Sequence, residues 1–571
     1  MKKTMLALFG LAAAVALNAE ITMPKIFSDN MVLQCGEPVK IWGKALPNAK
    51  VAVKFADISK SVKADEFGKW SLYLPAMKPN CKDRVMHISE NGVEQKAIKN
   101  VLVGQVWIAG GQSNMQFSLR DTDNAKEAMS RANYPLMRAF IMKYDAIKTA
   151  PAFDVPEGAN WRVCTPKTAG GQSNMQFSLR DTDNAKEAMS RANYPLMRAF
   201  IMKYDAIKTA PAFDVPEGAN WRVCTPKTAG GISAVAFFFA EKIMKEFNVP
   251  VGIVETELGG ARMVTFLERQ DAKGVAGFDK QIAEYDKLAK NYDYQKALAN
   301  YKKALEKFNA EKAAAKKAGK KFAKHAPRKP FVEGPMRPQE MPQFLYNAKV
   351  APIAGYTAKG FLWYQGESDS ADPTLFSGKF ERLIDSWRKY WNKPDMPFYF
   401  VQLTSFSTRA NWPVVREQQR IVADKMKNVE MAVTIDVGME KDIHPKNKLA
   451  VGERLAKIAL KNVYGQKYLR GVYGPIAKSV DFNGDSATVN FELSNVNMTL
   501  KNGLRGVEIL VDNSWEKPAG YKFSANGTLV VNAEKGDTIC GVRYLQKNWA
   551  QPDVCLYNLE GTPAAPFIFV K

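Results

Sequence analysis

The chain of 571 residues predicts an α/β domain with a doubly wound parallel sheet, set between two all-β sandwiches. Three observations carry this prediction. Residues 20–98 consist of short alternating runs cut by turn residues. A middle region alternates near-continuous apolar runs with helical patterns, and short strands with Gly and Asn turns return from about residue 470. The divisions that follow are 1–19, 20–98, 99–468 and 469–571.

Residues 1–19 read as an export leader. Lys2 and Lys3 precede the apolar run Met5–Leu17, and Asn18-Ala19 ends in a small residue. A periplasmic or secreted protein is expected. The run is too short to span a bilayer, and no other stretch approaches ~20 uninterrupted apolar residues. In the first sandwich, Val39–Trp42, Val51–Phe55 and Trp70–Leu74 are the strands, separated by Pro47-Asn48, Glu66-Phe67-Gly68 and Pro79-Asn80. Val101–Ala109 then changes the texture: it is apolar almost throughout, as a strand buried on both faces must be. Similar runs follow at Val249–Val254, Gly360–Tyr364, Phe398–Leu403 and Met431–Ile435, with helices at Ile232–Phe247 and Phe380–Trp391. The last sandwich takes Ser486–Phe491, Val507–Val511, Thr528–Val531 and Ile539–Tyr544.

The composition, 46% apolar and 24% charged, is that of an ordinary globular protein. A formal charge of +23 invites a nucleic-acid partner, but much of the Lys excess lies in Lys287–Lys329. There Tyr285, Leu288, Tyr292, Leu298, Tyr301, Leu305 and Phe308 recur at helical spacing. A long amphipathic helix with a solvated lysine face is expected, within a basic insertion over about 280–335. An exported protein seldom meets nucleic acid, and none is expected as partner. The six cysteines contain no CxxC pair, so zinc is not expected; Cys540 and Cys555 can pair or remain thiols.

Residues 111–170 recur letter for letter as 171–230, and Ala-Gly-Gly stands at all three block edges. Solenoid repeats diverge, so an exact copy points to a recent tandem duplication or an assembly error in the gene. The block opens with Gly111-Gln112-Ser113-Asn114-Met115, repeated as Gly171-Gln172-Ser173-Asn174-Met175.

A serine just after a buried strand suits a nucleophile on a strand-to-helix turn, although such a serine also serves as a helix cap. Histidine sharpens the choice, since the chain has three: His87, His325 and His444. His87 lies in the first β-region and His325 among lysines, which leaves His444 as the base. Asp442, two residues earlier, can orient the imidazole, and Glu367 is a rival acid. The Gln365 amide and a backbone N–H at Gly259-Gly260 can donate to an oxyanion. Four strand ends thus each present a suitable group, as α/β sites are assembled.

These blocks resemble the sialate O-acetylesterases of the SGNH hydrolase superfamily. Gly111-Gln-Ser-Asn-Met115, Gly259-Gly260, Trp363-Tyr-Gln-Gly-Glu-Ser-Asp369 and Asp442-Ile-His-Pro-Lys-Asn447 carry the likeness. Phe27-Ser-Asp-Asn-Met-Val-Leu-Gln34, Leu345-Tyr-Asn347 and Leu556-Tyr-Asn558 extend it over essentially the mature chain. The resemblance implies a flavodoxin-like hydrolase domain and a metal-independent, cofactor-free esterase acting on O-acetylated sialic acids or related glycans. It places the nucleophile on Ser113, the base on His444, the oxyanion donors on Gly259 and Gln365, and the acid on Asp442 or Glu367. The chain departs from the family at Leu258-Gly259-Gly260-Ala261-Arg262, where Trp-Gly-Gly-Thr is usual; Arg262 can meet a substrate carboxylate. An acetylxylan-type esterase and a non-catalytic carbohydrate-binding protein are the alternatives.

Of the two serines, Ser113 follows the apolar strand Val101–Ala109, whereas Ser173 follows the polar, Pro-containing Trp161–Thr168. Ser113 is therefore the expected nucleophile, Ser173 its duplicate, and one 60-residue block a passenger.

Overall fold

A computed structural model describes residues 21–123, 125, 138–139, 179–182, 197–201, 213–215, 219–332 and 334–571. The expected leader, Cys164 and Ser173 lie outside these residues.

The strand Val93–Gly111 is the axis of the fold. Its first part, Val93–Asn100, is polar and partly exposed and pairs antiparallel with Asn80–Glu90. From Val101 onward it is almost wholly buried, and it gains parallel neighbours, Val251–Glu255 from Gln105 on one side and Gly360–Tyr364 from Trp107 on the other. The change from alternating to continuous apolarity is the cause: only the second half can be covered on both faces. The boundary expected at residues 98–99 thus falls inside one unbroken strand, and no linker separates the first β-region from the α/β sheet.

The central sheet runs in the order Asn220–Val223, Arg138–Ala139, Met197–Ile201, Val251–Glu255, Val93–Gly111, Gly360–Tyr364, Phe398–Val401, Val429–Ala432. All its neighbours from Met197–Ile201 to Val429–Ala432 are parallel. One face, through Trp107, Ala109, Ile253, Leu362 and Val401, packs on helices Ala234–Phe247 and Lys448–Asn462. The other, through Val106, Ile108, Val254, Phe361 and Phe398, packs on helices Phe376–Tyr390 and Trp412–Lys425. The first two helices touch closely at Gly452, where a Cβ would stand 2.6 Å from Phe238 Cβ and 2.7 Å from the Val235 carbonyl oxygen.

The first β-region shares its core with the second of these faces. Phe27 packs edge-on against Trp42 with ring centroids 4.5 Å apart and lies 5.6 Å from Tyr356. At the other end of the chain, two four-stranded antiparallel sheets enclose one core that includes Val489, Ile509, Leu529, Val542 and Phe567. Cys555 is buried and Cys540 exposed, both as free thiols.

Both copies of the repeat enter the described structure. Leu119–Thr122 pairs in parallel with Leu179–Thr182, each residue opposite its own duplicate, and Arg138–Ala139 pairs likewise with Arg198–Ala199. The second copy supplies the sheet strands Met197–Ile201 and Asn220–Val223, and its Trp221 is fully buried and donates to the Ile26 carbonyl. The expected contiguous passenger is thus not what these residues show: the first copy supplies Ser113 and two strands, and the second supplies further strands.

The basic insertion contains two helices rather than one, Ala276–Ala289 and Tyr294–Lys317. Asp293 makes the break, capping the second by accepting the Lys296 N–H at 3.0 Å. Among the described residues no helix is long and apolar enough to cross a membrane.

Candidate active site

Ser113 opens the short helix Ser113–Gln116 at the carboxyl end of the long strand. The approach is forced by Gly111, with φ of 129°, where a Cβ would lie 2.2 Å from the Tyr364 carbonyl oxygen. The Gln112 N–H donates to that same carbonyl at 3.0 Å, and Gln112 Oε1 accepts the Ser368 N–H at 3.2 Å. The turn is therefore pinned to the end of the neighbouring strand.

His444 lies in the loop between strand Val429–Ala432 and helix Lys448–Asn462. Its Nε2 stands 2.9 Å from Ser113 Oγ. Asp442 Oδ1 accepts the His444 backbone N–H at 2.9 Å and lies 3.6 Å from Nδ1, so it fixes the loop and faces the ring. Burial, reinforced by the Lys448 cation and opposed by Asp442, pushes the imidazole pKa down to about 4. At neutral pH the ring is uncharged, the form that can take a proton from Ser113.

Asn114 joins the two loops. Its amide nitrogen donates to the Ile443 carbonyl at 3.1 Å and to Glu367 Oε1 at 2.5 Å, while Lys448 Nζ donates to its Oδ1 at 2.6 Å. Lys448 is fully buried and lies over the rings of Phe117 and Tyr364. Glu367 is thus joined to Asn114, while Asp442 faces His444. Burial raises the Glu367 carboxyl above its ordinary range, and its Oε2 is buried with no hydrogen-bond partner.

Both groups expected to hold an oxyanion are engaged. The Gly259 N–H donates to Gln116 Oε1 at 2.8 Å. The Gln365 amide nitrogen donates to Asp369 Oδ2 at 2.7 Å and to the Ala261 carbonyl at 3.2 Å, which uses both its hydrogens. Asp369 is the reason: fully buried, it also accepts Lys379 Nζ at 2.8 Å, the Met263 N–H at 2.8 Å and Gln281 at 3.1 Å. Lys379 holds the Asp369 carboxyl below its ordinary range, against the opposing effect of burial. Gln365 is therefore part of a buried knot under the loop. The N–H of Ser113, first in its helix, has no intrahelical acceptor and is a donor beside the Ser113 hydroxyl. Arg262 lies between two carboxylates, 3.7 Å from Glu284 and 3.8 Å from Glu340. His87 pairs with Glu94 at 3.0 Å and His325 is exposed in the basic insertion.

Residues 334–461 match the family described as carbohydrate esterase, sialic acid-specific acetylesterase. The chain is similar to sialate O-acetylesterases over nearly its whole length. The mouse sialate O-acetylesterase is 25% identical over 95% of this chain and 93% of its own length, and the human one 24% identical over 95% and 91%. Among solved structures, a carbohydrate acetylesterase from Xanthomonas citri superposes with a TM-score of 0.70 at 24% identity, covering 96% of this chain and 99% of that one. The matched segment holds Gln365, Glu367, Asp442, His444 and Lys448; Ser113 reaches them from outside it. Asn114 belongs to the pentapeptide that flagged Ser113, but its bonding to both loops has no sequence signal. Lys448 has none either, being a lysine at a helix start.

Proposed function

We propose that this carboxylic ester hydrolase removes O-acetyl groups from sialic acids or related glycans through an acyl-enzyme on Ser113, outside the cytoplasm as the expected leader requires. The observation that carries the reading is the 2.9 Å approach of His444 Nε2 to Ser113 Oγ. A neutral imidazole takes the hydroxyl proton as Oγ attacks the acetyl carbonyl carbon. The Ser113 N–H meets the developing oxyanion, and the Gly259 N–H joins it if the Gln116 side chain turns away. The C–O bond to the sugar breaks and His444 returns its proton to the sugar oxygen. Water, deprotonated by His444, then attacks the acetyl-serine; acetate leaves and Oγ regains its proton. Asp442 keeps the ring in place and stabilises the imidazolium.

Ser113→Ala and His444→Ala are each expected to abolish nearly all hydrolysis of an aryl acetate, with folding checked by circular dichroism. Substantial activity in either folded variant would sink the assignment. Acetate release from O-acetylated sialic acid, compared with release from acetylated xylan, tests the substrate class.

A further inference from the structure

Residues 293–332 form a charged two-legged arm. The helix Tyr294–Lys317 is 24 residues long and buries none of them. Gly319, with φ of 64°, turns the chain back along it. On the return leg, Phe322 packs edge-on against Phe308 at 5.2 Å, Lys324 donates to Glu311 at 2.7 Å, and the Tyr292 hydroxyl donates to the Phe331 carbonyl. These contacts leave the apolar stripe of Tyr301, Leu305 and Phe308 half-buried and the lysines outside.

Twelve Lys or Arg stand against three Asp or Glu in these residues. Lys316, Lys317, Lys320 and Lys321 surround the tip, all exposed. Like charges four residues apart, as at Lys303 and Lys307 or Lys312 and Lys316, weaken an exposed helix rather than stabilise it. Self-association of such a surface is disfavoured as well, so charge complementarity calls for an anionic partner.

The arm is rooted at the candidate active site. In the helix Ala276–Ala289 at its base, Gln281 bonds to Asp369, the carboxylate that holds Gln365. Glu284 of the same helix faces Arg262, three residues beyond Gly259.

We propose that this arm is a docking surface for an anionic polysaccharide bearing repeated carboxylates, held by the lysines of the tip. A bilayer is the poorer fit: surface helices that enter one need an open apolar face, and here the return leg packs on Phe308 and the stripe is half-buried. Docking goes beyond the esterase reading and does not depend on Ser113.

The test measures equilibrium binding of the full chain to immobilised polysialic acid, with dextran and phosphatidylglycerol vesicles as comparison surfaces. Binding to polysialic acid at low salt is expected to fade as salt shortens the screening length. The combined variant Lys316→Gln, Lys317→Gln, Lys320→Gln, Lys321→Gln is expected to bind about tenfold more weakly or worse, with aryl acetate hydrolysis unchanged. Lys60→Gln with Lys63→Gln, which removes exposed charge from the first β-region, is expected to leave binding intact. Absent binding, equal binding by the tip variant, equal loss in the Lys60 and Lys63 variant, or binding to vesicles alone each overturns the proposal. Aryl acetate hydrolysis separately reports on Ser113 and His444, so the two readings fail independently.

Discussion

Lys448 Nζ lies 2.6 Å from Asn114 Oδ1, which places a buried cation between the histidine loop and the residue following the serine. That cation is one cause of the low His444 pKa. Because the base must be neutral, activity is lost only as pH falls through about 4. In the intact protein, kcat/KM on an aryl acetate should therefore stay level from pH 7 down to about 5 and fall below it.

Lys448→Met removes the repulsion, so the His444 pKa moves upward and the acid limb of the pH profile moves to higher pH. Asn114 also loses a donor to its Oδ1, and loosening of the serine turn should lower kcat by about tenfold to 10²-fold. The profile is the discriminating readout. An unshifted acid limb with reduced kcat would show that Lys448 only supports the loop.

Asp442 and Glu367 can be separated by their partners. Asp442→Asn removes the charge facing Nδ1 of His444 and should cut kcat by about tenfold or more, less than for a fully buried acid because the side chain is 42% exposed. Glu367→Gln keeps an acceptor for Asn114 and removes no charge facing His444, so kcat should change by less than about threefold. Steady-state kinetics of both variants at pH 7 decide between them, and the reverse ranking would make Glu367 the acid.

The sequence made the sheet legible because its strands are buried on both faces and read as apolar runs. Gly360–Tyr364 and Val507–Val511 have the expected limits. The Ser113–His444 pairing was legible for a narrower reason: with three histidines in the chain, few can stand beside a given serine. Tertiary hydrogen bonding was not legible. Gln365 stands at a strand end, where an oxyanion donor is expected, yet Asp369 four residues later takes its amide. The helix break at Asp293 was missed because the apolar spacing continues across it, whereas a capping carboxylate fixes the boundary.

The Asp369–Lys379 pair carries a stability prediction. Lys379→Met leaves a buried carboxylate without its cation and should cost about 3–5 kcal/mol in chemical denaturation. The folded pKa of Asp369 is depressed, so the stability it contributes is present above the ordinary carboxylate pKa and is lost as pH falls through the lower folded value. The penalty of the variant should therefore shrink in acid. A penalty that stays constant from neutral pH to strongly acidic conditions would refute the charge-based origin.

The repeat supplies the last prediction. Removing either 60-residue block yields the same shorter chain, since the copies are identical. In that chain the strand Val93–Gly111 still leads into Gly-Gln-Ser-Asn-Met, and one copy still supplies the strand that pairs with Val251–Glu255. What is lost are two sets of pairings between the copies, Leu119–Thr122 with Leu179–Thr182, and Arg138–Ala139 with Arg198–Ala199 and with Val223. Neither pairing holds Ser113, His444 or Asn114. The shortened protein should keep its aryl acetate activity within about threefold and melt no lower than the parent, because a shorter loop costs less entropy to close. In the full-length chain, Ser173→Ala should be silent where Ser113→Ala is not. Loss of activity on shortening, with the fold retained, would mean that the second block is part of the working enzyme.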